Sequence, residues 1–160
     1  MASTGLDVFD RTVQKTNILL KELAEELHWS DRHHVYMALR ASLHALRDRL
    51  PPQEAAKLAS QLPLLVKGVF YDGWRPGATP VKVRDPQKFL DMAREGMEPS
   101  KSNVNADHMV RAVFSVLSRH VSRGEWEDIR RTLPGSLRDL LPRLPYTGPE
   151  RRRDAPRATA

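Results

Sequence analysis

The sequence predicts an all-α protein, a single compact helical domain built from two pseudo-repeats. Three observations carry this. Apolar residues recur at helical spacing along most of the chain, prolines fall at the ends of those stretches, and one interrupted phrase occurs twice. That phrase is "LASQLPLLVKGVF" at 58–70, and it returns seventy-one positions later as "IRRTLPGSLRDLL".

The elements follow in order. In "DVFDRTVQKTNILLKELAEELHW", Val8, Phe9, Val13, Leu19, Leu20, Leu23 and Leu27 take helical spacings with charged residues between them, which predicts a first amphipathic helix. Ser30 or Asp31 caps a second, where Val35, Leu39, Leu43, Leu46 and Leu50 form one stripe and Ala38, Ala41 and Ala45 let a neighbour approach closely. Pro51-Pro52 ends it. Proline is tolerated in a first turn, where its missing N–H would have had no partner, so "PPQEAAKLASQL" reads as a third helix, and Pro63 starts a fourth that runs to about Tyr71. The glycines and prolines of "DGWRPGATPVKVRDP" leave no room for a regular element, and this is the central linker. Asp85-Pro86 opens "PQKFLDMAREGM", and Gly96 is placed to close it. A long helix from about Ala106 to Val121 follows, with Val110, Val113, Phe114 and Leu117 inward; two shorter ones come after it, separated by Pro134.

Shifting the chain by seventy-one residues lays Leu39, Leu43, Leu46 and Leu50 on Val110, Phe114, Leu117 and Val121. Leu58, Leu62 and Pro63 then fall on Ile129, Leu133 and Pro134, and Val66, Val69 and Phe70 on Leu137, Leu140 and Leu141, without a gap. The unit is a long helix, a short helix, a Leu-Pro corner and another short helix. The corner bends because proline cannot donate to the carbonyl four residues back and pushes the residue before it out of helical geometry. Two short helices then cover one long helix from different directions, with Leu62 and Leu133 pointing into the core. The expected domain is 6–142, with repeat one at about 31–71 and repeat two at about 102–142; the first helix and the 86–96 helix fill gaps. Residues 143–160 read as a disordered basic tail.

Hydrophobic residues make up 40% of the 160 and charged residues 29%, an ordinary balance for a folded soluble domain. With no cysteine, disulfides, thiolate chemistry and Cys-type zinc sites are excluded, which fits a reducing cytoplasm. The start lacks the basic segment and apolar run of a secretory signal, and no stretch approaches the roughly 18 apolar residues of a membrane span. The expected setting is therefore cytoplasmic, with no membrane partner. Net charge is +6, but residues 143–160 supply half of it, so the body is only mildly basic.

The stretch "ALRASLHALRDRLPPQEAAKLASQLPLLVKGVFYDGW", the "FLDMARE" helix and the weaker second copy ending in "LP" resemble the bacterial family catalogued as domain of unknown function 2267, over about residues 6–142. The resemblance implies a small, helical, cytoplasmic bacterial protein with no established activity, and it supplies no catalytic residue.

Candidate chemistry is sparse. Glu54 and Glu125 share a repeat position, which invites an acid–base or metal reading. However, Ser122-Arg123-Gly124-Glu125 has the capping-box spacing, and Glu54 suits the first turn of its helix. None of the six histidines forms a spacing that puts two imidazoles on one helix face, so no metal or other cofactor is expected. No glycine-rich phosphate loop, Gly-x-Ser-x-Gly elbow or recognisable catalytic triad is present. Tyr71, Asp72, Trp74 and Arg75 end the first unit where the second copy differs, and they are the candidate partner-binding residues. Trp29 and Trp126 lie at other helix ends, where aromatics close a bundle. Arg130, Arg131 and Arg138, with Arg151, Arg152 and Arg153 of the tail, are the candidate nucleic-acid contacts, although acidic residues lie among them. The expectation is a non-enzymatic protein-interaction or accessory module with an unknown protein partner. The alternative is a nucleic-acid-associated protein using the C-terminal arginines.

Overall fold

A computed structural model describes residues 4–144. Residues 145–160 of the sequence-predicted tail, with Arg151, Arg152 and Arg153, lie outside the described residues. Eight α-helices and no strands are present among them: α1 Asp7–Leu27, α2 Arg32–Arg49, α3 Pro52–Ala59, α4 Leu64–Tyr71, α5 Pro86–Glu95, α6 Ala106–His120, α7 Arg123–Thr132 and α8 Gly135–Arg138. None is long and apolar enough to cross a membrane.

Helix starts follow local chemistry. Asp31 accepts from the N–H groups of His33 and His34, Asp85 from that of Gln87, and Asn105 from that of His108. Lys101 Nζ sits 2.6 Å from the free oxygen of Asp31 and, with the capping N–H groups, holds that carboxyl below the usual range. Pro52 and Pro86 occupy first turns, and Pro63 and Pro134 stand just before α4 and α8.

The centre of the core is formed by α1, α2, α5 and α6, and buried residues of the shorter helices, Phe70 and Trp126 among them, complete it. The long helices α2 and α6 pack on each other; α1 and α5 each contact both. Leu19 and Leu23 of α1 and Phe89 and Ala93 of α5 are buried, so these two helices are principal core elements and not the gap-fillers the sequence suggested. The short helices lie outside this group: α4 packs on α1 and α2, α8 on α5 and α7, and α3 on α7. Leu62 and Leu133, before the two proline corners, are both buried as expected.

One local expectation holds, with an added role, and one is corrected. Gly96 closes α5 in ordinary right-handed geometry, with φ −73, so no left-handed cap is involved. Its missing side chain serves packing, because a Cβ there would lie 2.8 Å from Cβ of Ala41 on α2. On α1, Val8, Phe9 and Val13 were expected to face inward; they are 59%, 48% and 40% exposed, and the buried stripe starts only at Thr12 and Leu19. The first turns of α1 have no neighbour deep enough to cover them.

Candidate functional site

The 71–75 corner is built from below. Arg47 of α2 is almost fully buried, and its Nη1 donates to the carbonyls of Phe70 and Asp72, each at 2.9 Å, while its Nε meets Asp48 at 2.9 Å. These bonds satisfy carbonyls left free at the C-terminus of α4. His44 Nε2 donates to the Val69 carbonyl at 2.7 Å, and burial lowers the imidazole's pKa. Asp72 reaches Arg40 of α2 at 3.4 Å, Tyr71 and Trp74 pack ring to ring at 5.2 Å, Gly73 takes φ +74, and Arg75 is exposed. Three of the four predicted residues thus hold the corner together.

The predicted basic contacts are also engaged. Arg138 donates to the carbonyls of Arg130, Arg131 and Leu133, closing the C-terminus of α7. Arg131 is paired with Asp128, and the mostly buried Arg130 lies 3.9 Å from Glu127. The donors of Arg138 are turned onto the protein's own carbonyls, whereas the Arg131 side chain stays largely exposed.

A polar cluster joins α3 to α7. Lys57 Nζ lies 3.2 Å from Asp128, 3.5 Å from Glu54 and 3.8 Å from Glu125. Ser122 caps α7 by accepting from Glu125 N–H at 3.2 Å, as the sequence predicts, but Gln61 of the preceding corner takes the Ser122 N–H in place of the glutamate carboxylate. Glu125 is left buried with Oε1 unpartnered, and burial raises its pKa against the opposing pull of Lys57. Asp128 is held below the usual carboxylate range, first by Arg131 and then by Lys57. Among the described residues no three His, Asp or Glu side chains are placed so that they could hold a metal ion. Trp126, expected at a bundle end, is fully buried against Phe114 and donates to the Pro142 carbonyl at 2.9 Å.

An apolar groove of about 460 Å³ opens between α1, α2 and α4, lined by Val13, Thr16, Leu20, Tyr36, Leu65 and Val69. Arg32 and His33 stand at its rim, Arg32 bonded to Asn17. Next to the groove the N–H of Leu65 donates to the buried Thr12 hydroxyl at 2.8 Å, a cap that α1 supplies to α4 because Pro63 has no side-chain acceptor. Around the groove Phe9, Val13, Leu64 and Leu65 are 40–51% exposed. Sequence reasoning passed over this face. The signal was the run "LPLLV", since three successive apolar residues on a short helix cannot all face one core.

No curated protein matches the chain. Residues 16–140 match the model of the uncharacterized conserved protein family DUF2267, and the chain belongs to that family.

Proposed function

We propose that the chain is a non-enzymatic protein-interaction module that docks a partner on the groove between α1, α2 and α4. The observation supporting this is the coincidence of an open apolar hollow with the exposed side chains of Phe9, Val13, Leu64 and Leu65. Covering such side chains contributes roughly 25 cal/mol per Å² of apolar surface removed from water. The absence of cysteine and the family membership fit a bacterial, cytoplasmic setting. The nucleic-acid alternative is weakened by the internal bonding of Arg131 and Arg138, since a phosphate would have to displace those contacts.

The test places a photo-crosslinking side chain at Leu65, with Lys88 of α5 as the control position. A discrete protein adduct formed through position 65 and absent at 88 is the expected result. No adduct above the control would overturn the reading.

A further inference from the structure

We infer that the chain is a dimer folded into one polypeptide: two equivalent four-helix units, α1–α4 and α5–α8, each the binding partner of the other across an isologous interface. The sequence repeat of seventy-one residues covered only α2–α4 and α6–α8. The structure adds α1 and α5. At a spacing of seventy, Leu19, Leu20, Leu23 and Leu27 fall on Phe89, Leu90, Ala93 and Met97, and all eight are buried. The step from seventy to seventy-one falls in the connections that lead to α2 and α6.

Helix contacts repeat under the same exchange. Within the units, α1 on α2 matches α5 on α6, α1 on α4 matches α5 on α8, and α3 on α4 matches α7 on α8. Between the units, α1 on α6 is answered by α2 on α5, while α2 meets its own counterpart α6 and α3 meets α7. Units stacked in one direction would show one crossed contact without its converse, so the relation is a two-fold one. The exception is α4 on α2, because the counterpart α8 has four residues in place of eight.

Counterparts in a two-fold pair touch each other only beside the axis. Lys57 and Asp128 are counterparts, and Nζ of the first lies 3.2 Å from a carboxylate oxygen of the second. Glu54 and Glu125 are counterparts as well, and Lys57 stands 3.5 Å from one and 3.8 Å from the other. One ammonium is thus set among carboxylates from both units, and this gives the pairing its sign. Packing α3 against a second α3 would face lysine with lysine, and α7 against a second α7 aspartate with aspartate.

Equivalent units should pair whichever comes first in the chain. The test is a circular permutant of the full chain that runs from Ala78 to Ala160 and then from Met1 to Gly77. It is compared with one opened between Pro99 and Ser100, inside the second unit. Both breaks fall between exposed residues of a connection, and the joint is the same in both. About eight glycine and serine residues added at that joint keep it free of strain.

The first permutant is expected to remain a monomer with a urea midpoint within about 0.5 M of the unmodified chain, and the second to fall at least about 1 M below the first. Lys57→Asp should lower the midpoint in native and permuted order alike. Adding Asp128→Lys should return most of that loss in both, because the exchange again leaves one ammonium among carboxylates of both units. A first permutant that does not fold, or that is no more stable than the second, overturns the inference. So does a folded one in which the exchange restores nothing. Cross-linking through Leu65 is independent of these results, so the groove reading stands or falls separately.

Discussion

The side-chain amide of Gln61 holds both polar groups of Ser122: Oε1 accepts from the serine N–H at 2.6 Å, and Nε2 donates to Oγ at 3.1 Å. One residue at the first Leu-Pro corner therefore completes the cap of α7, sixty-one positions away. Gln61→Ala should lower stability by about 1–2 kcal/mol, the range for loss of a helix cap. Gln61→Glu keeps the acceptor and should recover part of the loss. Urea midpoints with unchanged slope are the readout; a change within about 0.3 kcal/mol for the alanine variant would show that solvent replaces the cap.

Glu125 predicts a pH dependence. Its folded pKa is raised above the ordinary value of 4.5, chiefly by burial. Between those two values the folded chain keeps a proton that the unfolded chain has released, so this residue's contribution to stability falls as pH rises through the window. Glu125→Gln removes the slope, and the variant should gain on the unmodified protein as pH rises from 4.5 through the raised folded pKa. Asp128 has the opposite sign: its lowered pKa gives stability that is present above 3.8 and lost as pH falls. A pH series of denaturation midpoints separates the two, and parallel curves for Glu125→Gln and the unmodified chain would contradict the assignment.

Gly96 faces Ala41 across the α5–α2 contact, with only 2.8 Å between an added Cβ and Cβ of Ala41. Gly96→Ala should therefore destabilise by about 1–3 kcal/mol, although alanine is ordinarily the better helix former. Adding Ala41→Gly should relieve the clash, so a double-mutant cycle should show favourable coupling of at least about 0.5 kcal/mol. Additive effects would mean that the strain lies elsewhere.

Arg47 is the buried tie beneath the 71–75 corner. Arg47→Ala should cost about 3–5 kcal/mol, because it removes the guanidinium from two carbonyls and leaves Asp48 without its partner. Arg47→Lys should fall between, since a point charge cannot span the same three acceptors. Tryptophan emission from Trp74 should shift to the red as the corner loosens. A stable alanine variant with unaltered emission would show the corner held by its ring contacts alone.

The sequence by itself determined where helices begin and end. Pro51, Pro63, Pro86 and Pro134, with the caps Asp31, Asp85 and Ser122, act through bonds and clashes only a few residues long, so their effect is legible without the fold. The buried stripe of α2 and the inward Leu62 and Leu133 were equally legible, because a short polar-flanked periodicity has one consistent face. Only the tertiary structure decided which neighbour arrived at each face. The periodicity of α1 continues through Phe9 and Val13, but α4 docks only as far as Thr12, so the same pattern is core at Leu19 and open surface at Phe9. Gly96 reads as a helix stop and is one, but its close contact with Ala41 is not legible locally; Glu125 reads as half of a cap and is displaced by Gln61. Local signals set conformation, whereas burial and hydrogen-bond partnership depend on a second segment whose arrival no local pattern records.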